Sequence, residues 1–225
     1  MAEELGKVEK PSVSEFKKGR KLLFVPLIFA GKDSPADFLE KFNRYWNQVE
    51  NQLGELELKL GQICRIYHEL VSAGGDDGVN RIKDLNEKSY RIVENRLSKG
   101  GKLEAAEDED LLTQITDCQR CLSIGLQNQK IFQMVYSSYA EASKKRNEFI
   151  AKRIDETLGV DEMGIVLMTE RHQVRFAADI QLFYVAPPAL DEINRWLRDS
   201  KSRAEEEKAE EEKAEEKPEE TGKSN

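Results

Sequence analysis

The stretch DSPADFLEKFNRYWNQVENQLGELELKLGQICRIYHEL, Asp33 to Leu70, dominates the reading of this chain. Its apolar residues stand at Leu39, Phe42, Trp46, Val49, Leu53, Leu56, Leu60, Ile63, Tyr67 and Leu70, in alternating steps of 3 and 4. Such spacing puts every one of them on one stripe of a helix, a heptad seam. Ser34 suits the N-cap, Pro35 the first helical position, and Asp37 places negative charge where the helix dipole favours it. Gly54 and Gly61 lie off the seam and weaken the isolated helix by about 1 kcal/mol each relative to alanine. Packing along the seam must supply the stability, and Ala73-Gly-Gly-Asp-Asp-Gly78 is a strong stop.

Working outward, a second helix is expected from Val79 to Ser98, ending at Gly100-Gly101. A third begins in the acidic stretch Glu104–Asp110. It continues through Leu111, Ile115, Cys118, Leu122, Phe132, Tyr136, Tyr139 and Ile150 to about Leu158, bent near Gly125. These helices bury each other's seams most simply as an antiparallel hairpin or bundle.

On the N-terminal side, Met1 to about Lys18 reads as a loose polar arm. Lys21-Leu-Leu-Phe-Val-Pro-Leu-Ile-Phe-Ala30 follows, a continuous apolar run that suits a strand buried on both faces. Pro26 cannot donate to a ladder, which argues for an edge or a bulge. Beyond Gly159 the pattern changes. Met163–Thr169 and Gln173–Phe176 read as a hairpin turning at Glu170-Arg171-His172, and Asp179–Val185 as another strand. An amphipathic helix follows from Ala189 to about Ser200. The expected fold is α+β, mainly α: a long antiparallel helical hairpin or bundle inserted between an N-terminal strand and a small, mostly antiparallel C-terminal sheet with a closing helix. In domain terms this is a flexible arm (1–18), one α+β domain (19–200) and a tail (201–225). The domain's helical part covers 34–158 and its sheet part 21–30 plus 163–200.

Half of the net charge of −8 sits in the segment Lys201–Asn225, with ten Glu against six Lys and Arg. That tail has no apolar face, so it is expected to be disordered or partly helical. A mildly acidic body argues against broad duplex binding. No apolar run approaches the roughly 20 residues that span a bilayer. No basic-then-apolar leader opens the chain. The three cysteines set no disulfide framework. The expectation is a cytoplasmic protein with no membrane and no nucleic-acid partner.

The sharpest chemical constellation is Cys64-x3-His68 with Cys118-x2-Cys121. On neighbouring helices the two pairs would face each other and could supply a tetrahedral zinc site. The competing reading is structural, because Cys118 lies on the apolar seam, where a free cysteine acts as a small hydrophobe. No other cofactor is expected. Cys118-Gln-Arg-Cys121 falls mid-helix, away from the helix N-terminus that lowers a redox thiol's pKa. The loop Gly74–Gly78 lacks the lysine of a phosphate loop. Arg171, His172 and Arg175, in the turn region, form an exposed polar patch fit for a phosphate or carboxylate. An ordinary solvated turn is the plainer reading. Tyr136, Tyr139, Glu141 and Arg146 could line a groove on the third helix, although aromatics at helical spacing are more often core.

No segment names a reaction. The expectation is therefore a non-enzymatic interaction or regulatory module. It would meet a protein partner or a second copy through the heptad-patterned hairpin. The alternatives are a zinc-dependent or phosphate-handling enzyme, with its site at the Cys/His cluster or in a groove near His172, and, more weakly, an RNA- or ribosome-associated factor.

Overall fold

A computed structural model describes residues 18–215. The expected arm lies outside these residues except at Lys18, as do the last ten residues of the expected tail. The elements are β1 (Arg20–Pro26), α1 (Ala36–Leu60), β2 (Ile63–His68), α2 (Gly75–Leu85), α3 (Glu87–Ser98) and β3 (Lys102–Leu103). They continue with α4 (Glu109–Ser123), α5 (Gln129–Thr157), β4 (Met163–Met168), β5 (Ile180–Tyr184) and α6 (Pro188–Glu215). The chain divides into two compact units. One holds the described residues up to Phe29 together with Val49–Ala186, and the other holds Ala30–Gln48 and the described chain from Pro187 onward.

The first unit is built on a five-stranded sheet in the order β3-β2-β4-β1-β5. Every pairing in it is parallel. This corrects the expected antiparallel sheet, and the reason is visible at β4. Strand β4 pairs with β1 along one edge, Lys21 opposite Met163, and with β2 along the other, Tyr67 opposite Val166. No edge remains for Gln173–Phe176 to form a hairpin. Those residues instead belong to the connection 169–179, which carries the chain past β1 to pair β5 on its far side. That connection is irregular, and its apolar side chains take the place of a crossover helix. Val174 is buried and Phe176 and Ala177 pack on the core. The His172 ring lies 4.9 Å from that of Phe24.

Both faces of the central strands are covered, which is why β1 and β4 read as unbroken apolar runs. On one face Leu22, Phe24, Tyr67, Val166 and Met168 cluster with Ile150, Ile154 and Leu158 at the end of α5. Strand alternation turns Leu23, Val25, Ile66 and Leu167 to the other face. Helix α3 packs there, since its buried Ser89 meets His68, itself buried on that face. Val49 and Leu53 of α1 are fully buried in the same unit, and the buried Arg96 of α3 pairs with Glu50 and Glu57 of α1.

The helix over the opening stretch ends at Leu60. Gly61 adopts φ +116, on the positive side that only glycine tolerates easily, and its N–H still donates to the Glu57 carbonyl at 3.1 Å. Residues 63–68 then extend as a strand. The expected second helix is two, α2 and α3, divided at Asn86. The Asn86 side chain accepts from the N–H groups of Lys88 and Ser89 as an N-cap. The expected third helix is also two. The chain turns at residues 124–128, where Gly125 has φ +73, and α5 returns along α4. Gln114 of α4 bonds Ser138 of α5 at 3.1 Å.

The second unit joins the first part of α1 to α6. Phe38 and Trp196 are 4.8 Å apart, the Trp196 indole N–H donates to Asp37 at 2.6 Å, and Gln48 accepts from the Ala189 N–H at 3.0 Å. No described helix is long and apolar enough to cross a membrane.

Candidate functional site

In an open parallel sheet, the crevice outside the carboxyl ends of two strands whose connections leave in opposite directions is where ligands bind. Here that point lies between β2 and β4. From β2 the chain runs to β3 at one end of the sheet, and from β4 it runs over β1 to β5 at the other. The residues just beyond the two strands meet there. The Thr169 N–H donates to Glu69 Oε2 at 2.7 Å, and the Thr169 hydroxyl lies 3.3 Å from Glu69 Oε1.

Above this pair opens a groove of about 1040 Å³. Helix α5 forms one wall with Tyr136, Tyr139, Ser143, Lys144, Arg146 and Asn147, a stripe at helical spacing. The connection after β4 forms the other wall with Arg171 to Arg175. The structure therefore brings the polar patch Arg171, His172 and Arg175 into one groove with Tyr136, Tyr139 and Arg146. Glu141 stays outside it and pairs with Lys145 at 2.7 Å.

Arg146 organises the floor. Its guanidinium meets Glu107 and, at 2.9 Å, Glu69. Burial disfavours its charge, but the bonds to Glu107 and then Glu69 outweigh that, and its pKa is raised. A fixed cation–carboxylate set of this kind holds the groove's base rigid. The site's cations are Lys144, Arg146, Arg171 and Arg175 against the carboxylates Glu69, Glu107 and Glu148, a surplus of one positive charge in a chain of net charge −8. Arg171 and Arg175 make no salt bridge with any described residue. His172 Nδ1 accepts from the Val174 N–H at 3.2 Å, so a proton on the neutral ring sits on Nε2. Burial lowers its pKa, opposed by the charge of Glu69. Glu107, Thr169, Ser143 and Asn147 were not singled out by sequence. The stripe on α5 carried a signal for the last two, since they continue the spacing from Tyr136. Glu107 and Thr169 reach the site only through the fold.

The four metal candidates sit elsewhere. Cys64 and His68 are on β2, and Cys118 and Cys121 on α4. On a strand, residues four apart are about 13 Å apart, whereas the same spacing on a helix makes neighbours. His68 is fully buried, with Nδ1 at 2.6 Å from the Glu69 carbonyl and Nε2 at 3.0 Å from the Ser89 hydroxyl. The carbonyl can only accept, so in the neutral ring Nδ1 carries the proton. No group of three or more His, Cys, Asp or Glu side chains placed to hold a metal occurs among the described residues.

The chain matches no protein-family model, no curated protein and no solved structure.

Proposed function

We propose that this protein binds a small anionic ligand, through phosphate or carboxylate oxygens, in the groove at the carboxyl ends of β2 and β4. The observation that carries the reading is the excess of cationic side chains at the sheet's switch point, with Arg171 and Arg175 unpaired among the described residues. Guanidinium groups match such oxygens in charge and in geometry. The groove volume lies at the upper end of the roughly 300–1,000 Å³ usual for small-ligand sites. Binding, rather than a named reaction, is what the residues support. Glu69 is tied to Arg146 and Thr169, and His172 Nδ1 is already an acceptor.

Calorimetry at low salt with inorganic pyrophosphate and with citrate tests it. At least one should bind, and Arg171→Ala and Arg175→Ala should each weaken that binding about tenfold, the scale of one charge-assisted hydrogen bond. No binding of either probe, or binding indifferent to both substitutions, would overturn the reading.

A second reading keeps the protein-interaction role and rests on a different observation. At the turn between α4 and α5, Ile124 is 76% exposed and Met134, in the first turns of α5, is 60% exposed. By contrast, the seam of α1 is closed within the chain at Phe42, Trp46, Val49 and Leu53. A second copy meeting this one would then use the α4–α5 hairpin. Mass measured across protein concentration should show self-association that Met134→Glu abolishes. Monomer at every concentration removes that version.

A further inference from the structure

We infer that the ligand of this groove carries a flat aromatic ring beside its anionic group, as a mononucleotide does. The inference rests on the anion-binding reading and names the class of molecule. A bare phosphate or small carboxylate would need only the cationic end. The groove is far larger than that, and its α5 wall changes character along its length. Tyr136 and Tyr139 come first, one helical turn apart, and Ser143 and Asn147 follow at one-turn steps toward the floor. Tyr136 to Asn147 spans about 16 Å of helix rise, so the wall suits an elongated molecule.

Tyr136 is presented for stacking. Its ring lies nearly parallel to that of Phe132, 9° between planes and 6.0 Å between centroids, yet the residue is 54% exposed. Phe132 stacks on the tyrosine, which lines the groove and keeps about half of its surface exposed. Aromatic side chains of this kind are the usual platform for a nucleobase, since every base has a π-face. Ser143 and Asn147 supply short hydrogen-bonding groups of the kind that read hydroxyls and ring edges. Arg171 and Arg175, on the opposite wall and unpaired among the described residues, are the cations for phosphate. Ring, polar middle and charge thus have partners within one groove. A single-stranded nucleic acid shares this chemistry, but a chain of net charge −8 opposes a long polyanion.

The test compares ADP with inorganic pyrophosphate on the full chain, by calorimetry at fixed salt. ADP should bind at least tenfold more tightly than pyrophosphate. Tyr136→Leu should remove that advantage while leaving pyrophosphate binding unchanged, and Tyr136→Phe should retain it. The unchanged pyrophosphate affinity also reports that the variant is folded. Equal affinities for ADP and pyrophosphate would overturn the inference and leave anion binding standing. Failure of both to bind, together with citrate, would overturn anion binding itself. An RNA 20-mer that outcompetes ADP, with an affinity falling steeply with salt, would overturn the inference in favour of a nucleic-acid strand.

Discussion

His68 is enclosed on every side, and burial pushes its pKa down to about 4 from an ordinary 6.5. The Glu69 carbonyl and carboxylate favour the charged form but do not compensate. The neutral ring bonded to the Glu69 carbonyl and the Ser89 hydroxyl is therefore part of the core. The sign follows from linkage. The unfolded chain takes up this proton near pH 6.5 and the folded chain only near pH 4, so the stabilisation is complete above pH 6.5 and is lost as pH falls to about 4. The full difference is about 3 kcal/mol. Denaturation midpoints should fall steeply from pH 6.5 to 4.5, before most carboxylates titrate, and His68→Asn should flatten that slope. Imidazole nitrogen shifts should report a neutral ring at pH 5.5. A ring protonated at pH 6 in the folded protein would contradict this placement. Sequence pointed to His68 as unusual, since it is one of two histidines. Its use as a zinc ligand with Cys64 depended on a helix that is not there.

At the scale of elements, two glycines separate the real helix from the apparent one. Gly54 lies within α1, and an added Cβ there would meet nothing within 4 Å. Gly61 is equally open but holds φ +116. Gly54→Ala should therefore stabilise the protein by about 0.5–1 kcal/mol, and Gly61→Ala should destabilise it by about 1–2 kcal/mol. Were the heptad seam one helix to Leu70, both would stabilise alike, so thermal melts of the pair decide the matter. The seam misled because β2 is only six residues long. Ile63 and Tyr67 fit a helical period by coincidence, and a short apolar run of this kind carries no period of its own. β3, with two residues, leaves no pattern to read. The runs at β1, β4 and β5 were legible, as was the start of α1. The breaks at Asn86 and Gly125 needed the cap and the positive φ that the structure displays.

At the scale of the whole molecule, two-sided burial was read from Leu22–Val25, a property that favours parallel strands, whereas Met163–Met168, buried along its whole length, was read as a hairpin arm. Strand order was not readable. Lys21 stands opposite Met163, and nothing local to either segment records a pairing across that distance. The same holds for the site. Arg171, His172 and Arg175 were visible as a patch, and Tyr136, Tyr139 and Arg146 as a helix face. Their meeting depends on β4 lying between β2 and β1, which sends the connection after it back across α5's face of the sheet. Charge is distributed with the same logic: the acidic surplus is greatest in the C-terminal segment, while the groove is locally positive. The most direct test of this account is amide shift mapping of the full chain during titration with inorganic pyrophosphate. Saturable shifts are expected in Thr169–Arg175 and in Tyr136–Asn147 of α5, with the N-terminal end of the sheet, around Arg20 and Asp179, unmoved. Shifts centred elsewhere, or none at concentrations that saturate ordinary phosphate sites, would contradict it.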